Sequence, residues 1–86
     1  MRNLEAFDWN DLRYFLAVAS EGSALAAARR LRVNQSTVQR RLAELETRLG
    51  YALVERHPLG YRLTEFGKDL LPLAEGVENS IAALRR

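Results

Sequence analysis

Residues 29–42 read RRLRVNQSTVQRRL, five arginines set around Asn34, Gln35, Ser36, Thr37 and Gln39. No Asp or Glu occurs between Glu21 and Glu44, in a chain whose formal net charge is only +2. Guanidinium, amide and hydroxyl groups are the side chains that read DNA. Arginine pairs with guanine O6 and N7, glutamine and asparagine with adenine N6 and N7, and serine or threonine with a base edge or a phosphate. A carboxylate in the same place would be repelled by phosphate. Residues 8–21 hold three acids and one base, whereas 22–43 hold five arginines and no acid. A local positive field of that kind favours a polyanion. A merely solvated face could carry the same run of charge, so the phasing of these residues on their element decides.

A helix over about residues 35–49 supplies that phasing, with Asn34 as its cap and Gly50 as its end. At 100° per residue, Val38, Leu42, Leu45 and Leu49 fall within about 60° of one another and face the core. Ser36, Arg40, Ala43 and Thr47 lie opposite, with Gln35 and Gln39 on one flank. The outer face is uncharged or basic in its N-terminal half and acidic only from Glu44 onward. That suits a helix entering the major groove N-terminus first, with Ala43 keeping its middle slim. Gln35, Ser36, Gln39 and Arg40 are the candidates for base contact, and Arg40 is the arginine assigned to reading sequence. Thr37 stands beside them, while Arg29, Arg30, Arg32 and Arg41 sit where contact with the DNA backbone fits better. Backbone N–H groups at the helix starts near Ser23 and Asn34 suit phosphate, although capping is the first role expected of Asn34.

The neighbouring elements must hold this face in place. Asp8 or Asn10 can cap a first helix whose Leu12, Phe15, Leu16 and Ala19 share a side, extended by Trp9. Gly22 is its stop, and Ser23 caps a short second helix, ALAAARRL, with Ala24, Ala27, Ala28 and Leu31 inward. Only Arg32 and Val33 then separate this helix from Asn34, with Val33 as an apolar plug, which makes a helix-turn-helix unit without the glycine often found in its turn. Beyond Gly50, residues 53–56 and 61–63 alternate as strands do. His57-Pro58-Leu59-Gly60 between them predicts a small β-hairpin, with Arg56, His57 and Arg62 as its basic groups.

Thr64 caps a long last helix on which Phe66, Leu70, Leu73, Val77, Ile81 and Leu84 recur at steps of three or four. Such a helix spans on the order of 30 Å, more than a small core needs, so the surplus stripe is expected against a second copy. Pro72 interrupts it: either the helix bends near residues 68–72, or one helix ends near Leu71 and another begins at Pro72.

Composition narrows the function classes. Eighty-six residues with 48% apolar content make one small globular domain. With no Cys, disulfides and thiolate metal sites are excluded, and small size without disulfides points to a reducing cytoplasm. No apolar run reaches the length of a membrane span, and the N-terminus lacks a signal-peptide pattern. The single His lies in a turn, and no motif places a nucleophile beside a base, so no enzyme and no cofactor are expected. The rival to DNA binding is a dimerisation or protein-interaction module built on the C-terminal stripe.

The residues Leu12-Arg13-Tyr14-Phe15, Val18-Ala19, Gly22-Ser23, Ala27-Ala28 and Leu31 form the first part of an ordered pattern. It continues through Gln35-Ser36, Val38, Arg40, Leu45-Glu46, Leu49-Gly50, Leu53, Arg56, Gly60, Leu63-Thr64 and Gly67. This pattern resembles the N-terminal DNA-binding domain of the LysR-type transcriptional regulators and covers essentially the whole chain. The resemblance implies a mainly α winged helix-turn-helix over residues 1–63, followed by a linker and dimerisation helix over 64–86. It also implies homodimers on interrupted, roughly palindromic double-stranded operator DNA in bacteria. Such regulators carry an effector domain that has no counterpart here, so the chain is expected to be a piece of a longer protein with its effector site elsewhere. Leu25 stands in place of a common Thr, Gln39 and Asn34 in place of Ser, and Leu59 in place of a frequent wing Arg.

Overall fold

The computed structural model describes residues 9–86. Three helices come first: α1 (Trp9–Glu21), α2 (Ala24–Leu31) and α3 (Gln35–Leu49). An antiparallel hairpin follows, β1 (Val54–His57) with β2 (Gly60–Leu63), and then α4 (Glu65–Leu84). This is a winged helix-turn-helix. Helix α1 is already formed at Trp9, so Asn10 lies inside it, where its Oδ1 accepts from the Arg13 guanidinium at 2.9 Å. The alternative cap, Asp8, falls outside the described residues.

Spacing accounts for the core. Leu12, Phe15, Leu16 and Val18 of α1 meet Val38, Leu42 and Leu45 of α3, with Leu53 and Ala74 closing the cluster. Burying each large side chain contributes roughly 1.5–3 kcal/mol, so this cluster dominates the stability. Ala24, Ala27 and Ala28 are the buried residues of α2, and their small size lets that helix lie close to both neighbours. On α1 the buried arc takes in Ala17 and Val18, while the expected Ala19 is half-buried.

Helix ends follow local chemistry. Ser23 Oγ accepts from the Ala26 N–H at 3.1 Å and Thr64 Oγ1 from the Gly67 N–H at 3.0 Å, each satisfying a donor that the helix itself cannot. Helix α2 ends with Arg32 at φ 59°, its N–H on Arg29 O at 3.3 Å, while the Val33 N–H reaches Ala28 O at 3.0 Å. That is the left-handed termination glycine usually supplies. Here an arginine occupies it, and Val33 packs against the core as the apolar contact that accompanies such an ending.

The wing is tied down at both ends. The Tyr61 N–H donates to Gly22 O at 2.8 Å, and a Cβ on Gly60 would lie 2.1 Å from that same oxygen. At the other end, Thr64 donates its N–H to Leu53 O at 3.0 Å and its hydroxyl to Ala52 O at 2.6 Å. Gly67 lets α4 cross directly over Leu53, whose carbonyl oxygen would be 2.2 Å from an added Cβ.

Helix α4 runs unbroken through Pro72 for 20 residues, so the alternative of two separate helices does not apply. None of the described helices is long and apolar enough to cross a membrane.

Candidate nucleic-acid interface

Helix α3 presents the face its phasing dictates. Val38, Leu42 and Leu45 are buried, and Gln35, Ser36, Arg40, Ala43 and Thr47 are exposed. Gln39 and Thr37 are half-buried at the margins. Arg40 lies 3.5 Å from Glu44, one turn on, with the arginine side chain largely in solvent and the glutamate partly so. Exposed pairs of this spacing contribute about 0.3–0.5 kcal/mol, so a stronger partner can take the guanidinium.

Asn34 holds the cap position through its backbone. Its carbonyl accepts from the Thr37 and Val38 N–H groups at 3.0 and 3.2 Å, but its side chain makes no capping hydrogen bond. The expectation of a side-chain cap therefore fails. The backbone leaves Ncap with φ −73° and ψ 148°, and Asn34 is exposed beside Gln35 and Ser36. The Gln35 and Ser36 N–H groups have no partner within the helix and point outward from its positive end.

Arg41 does not join this face. Its guanidinium lies 3.3 Å from the buried Asp11 of α1 and 5.2 Å from the Tyr14 ring centroid. Arg48, seven residues on, pairs with the other carboxylate oxygen of Asp11. A carboxylate only 1% exposed needs such partners, and the Arg41 guanidinium, expected from sequence beside the DNA backbone, is held against α1 by this one. Asp11 occupies the buried arc with Leu12, Phe15 and Val18. One acid on an otherwise apolar face was the available signal for this clamp.

Sequence reasoning also passed over Glu46. Its carboxylate accepts from the Leu53 and Val54 N–H groups at 2.6 and 3.2 Å, fixing the start of β1 to the end of α3. This contact ties the wing directly to the recognition helix.

On the wing, His57 and Gly60 pair across the hairpin, so the loop shrinks to Pro58-Leu59. His57 Nδ1 accepts from the Leu59 N–H at 3.2 Å, which makes the imidazole part of the turn. Arg62 pairs with Glu55 at 3.2 Å across the strands, and Arg56 is exposed opposite Tyr61. A groove between wing and helices is lined by Ser23, Leu25, Gln35, Gln39, Arg56 and His57, among others. It brings candidates from α2, α3 and β1 together. Arg29 and Arg32 are exposed beyond it, and Arg30 lies 3.5 Å from Glu21.

Comparison with known proteins matches residues 9–68 to the family described as bacterial regulatory helix-turn-helix protein, lysR family. The chain belongs to the LysR family. That family comprises transcriptional regulators, not enzymes. The chain is 45% identical over 64 residues to the HTH-type transcriptional regulator ClcR of Pseudomonas putida, covering 74% of this chain and 22% of ClcR. It is 43% identical over 77 residues to GalR of Pseudomonas putida, covering 90% of this chain and 19% of GalR. The chain thus spans about a fifth of the length of these LysR-family relatives.

Among solved structures, the DNA-binding domain of CbnR in complex with DNA superimposes with a TM-score of 0.84 at 36% identity, over 90% of this chain and 88% of that one. The DNA-binding domain of BenM on catB site 1 DNA gives 0.87 at 29% identity, over 91% and 88%. These LysR-family domains were both solved bound to DNA.

Proposed function

We propose that this chain binds double-stranded operator DNA in the bacterial cytoplasm, with the N-terminal half of α3 in the major groove and the wing against the neighbouring backbone. The observation that carries this reading is the outer face of α3. Gln35, Ser36 and Arg40 stand in solvent with Asn34 beside them, and the nearest acid, Glu44, is already paired with Arg40. Base contact falls to Gln35, Ser36, Gln39 and Arg40. Phosphate contact falls to the N–H groups at the starts of α2 and α3, to Thr37 at the edge of the face, and to Arg29, Arg32, Arg56 and Arg62. His57 contributes by shaping the wing turn.

A second reading, compatible with the first, makes α4 a dimerisation element. Phe66 stacks on Tyr51 with centroids 4.6 Å apart, and Leu70 packs on the chain's own core. These two serve the protomer. Leu73, Val77 and Leu84 are 68%, 40% and 84% exposed, with Ile81 half-buried beside them. A homodimer through this strip would present two recognition helices to an interrupted palindrome.

Salt separates the two activities. In an anisotropy titration with a labelled duplex, log affinity should fall with log salt by about 0.9 per phosphate neutralised, whereas apolar self-association should hold. A duplex affinity independent of salt would refute the DNA-binding reading.

A further inference from the structure

Leu25 is the second residue of α2 and is 47% exposed. It has no packing task there, because the buried residues of α2 are Ala24, Ala27 and Ala28. A lone exposed leucine on a convex surface would need no explanation. This one lines a concave groove of about 290 Å³ that Gln35, Gln39 and Arg56 border together with Ala24, Pro58 and Tyr61. An exposed isobutyl group within reach of the same groove as Gln35 and Gln39, on the surface assigned to DNA, has one complement in the major groove. Thymine alone presents a methyl group there, at C5, while its partner adenine presents N6 and N7 to an amide. A G·C pair offers no methyl.

We infer that Leu25 is a specificity residue that packs against the C5-methyl of a thymine, at an A·T pair whose adenine is read by Gln39. The inference rests on the DNA-binding reading above. Two features of the chain support the pairing. Leu25 and Gln39 border the same groove from α2 and α3, so one base pair can meet both. The Ser23 cap takes up the Ala26 N–H, and the Ala24 and Leu25 N–H groups have no partner within the helix. A phosphate held there sets the start of α2 against the edge of the groove, which brings the Leu25 side chain toward the outermost base pair of the half-site. The amide recognises adenine, and the leucine distinguishes thymine from any pyrimidine without the methyl.

The test uses the 86-residue chain and duplexes enriched by it from a random pool. Each thymine of the enriched half-site is replaced singly by deoxyuridine, which removes the methyl and nothing else. Wild type should bind one such duplex about fourfold more weakly, the factor equivalent to about 0.8 kcal/mol for burying one methyl-sized group. Leu25→Ala should bind the thymine and uracil versions of that duplex equally, with wild-type circular dichroism, since the position is exposed. Wild-type indifference to deoxyuridine at every position overturns the inference and leaves DNA binding standing. A methyl dependence that persists in Leu25→Ala overturns it too, by assigning the methyl to another residue. Failure to enrich any duplex overturns both readings.

Discussion

Arg40 and Arg41 are neighbours in sequence, yet one guanidinium faces solvent and the other is drawn to Asp11. Helical phase distinguished their directions but could not name the partner, because Asp11 is 30 positions away and sits on a different helix. The residues read most securely from sequence were those whose role depends on angle alone: Ser36, Arg40, Ala43 and Thr47 outward, Val38, Leu42 and Leu45 inward. The roles of Asn34 and Arg41 depend on a particular hydrogen-bond or ionic partner, which angle alone does not name. Arg40→Ala should weaken operator binding by about 1–3 kcal/mol and relax preference at one base pair. Competition titrations against single-base variants of the operator measure both, and unchanged preference would remove Arg40 from the reading set. Arg32 separates stability from binding. Its left-handed backbone costs on the order of 1 kcal/mol in a non-glycine residue. Arg32→Gly should therefore hold or slightly raise the urea midpoint while weakening DNA binding and lowering the salt slope by about 0.9. A variant that unfolds more readily would show that the arginine stabilises the turn.

Among the elements, α1, α2 and α3 were legible because their apolar residues recur at helical spacing and Ser23 and Gly50 punctuate them. The hairpin was legible as a pair of strands, but its register extends one pair further toward the tip than Pro58 and Gly60 suggested. His57 and Gly60 pair, and Gly60, at φ 134°, also passes close to the Gly22 carbonyl, where a side chain would not fit. What the pattern did not show is how the wing is fixed to the recognition helix. Glu46 does this with one carboxylate oxygen on two backbone N–H groups. Hydrogen bonds to a charged group contribute about 1.5–3 kcal/mol each at most, and loss of the acceptor leaves the N–H of the fully buried Leu53 without it. Glu46→Ala should lower stability by about 2–3 kcal/mol in urea denaturation. Hydrogen exchange at Leu53 and Val54 should accelerate more than at Val38, whereas uniform acceleration would deny the link to the wing. Glu46→Gln, which keeps an acceptor, should lose less.

At the scale of the whole molecule, the three-helix body and α4 have different surfaces. The body buries most of its apolar residues, leaves Leu25 in solvent, and turns a basic and amide face outward. Helix α4 uses Phe66, Leu70 and Ala74 against that body and leaves Leu73, Val77 and Leu84 in solvent. The sequence showed one continuous stripe, because periodicity does not say which neighbour covers which residue. Replacing Leu73 and Val77 together by Glu should leave the fold intact, since neither belongs to the core. It should shift sedimentation at micromolar concentration from dimer to monomer and weaken binding to a two-half-site duplex far more than to a single half-site. A wild-type chain that sediments as a monomer would contradict the assignment.

Whether the outer face of α3 reads operator DNA is decided by selecting bound duplexes from a random pool. Base reading by α3 requires enrichment of an interrupted inverted repeat, with the consensus weakened at one pair per half-site when Arg40→Ala is used for the selection. Enrichment of no sequence, or the same consensus from wild type and Arg40→Ala, would contradict it.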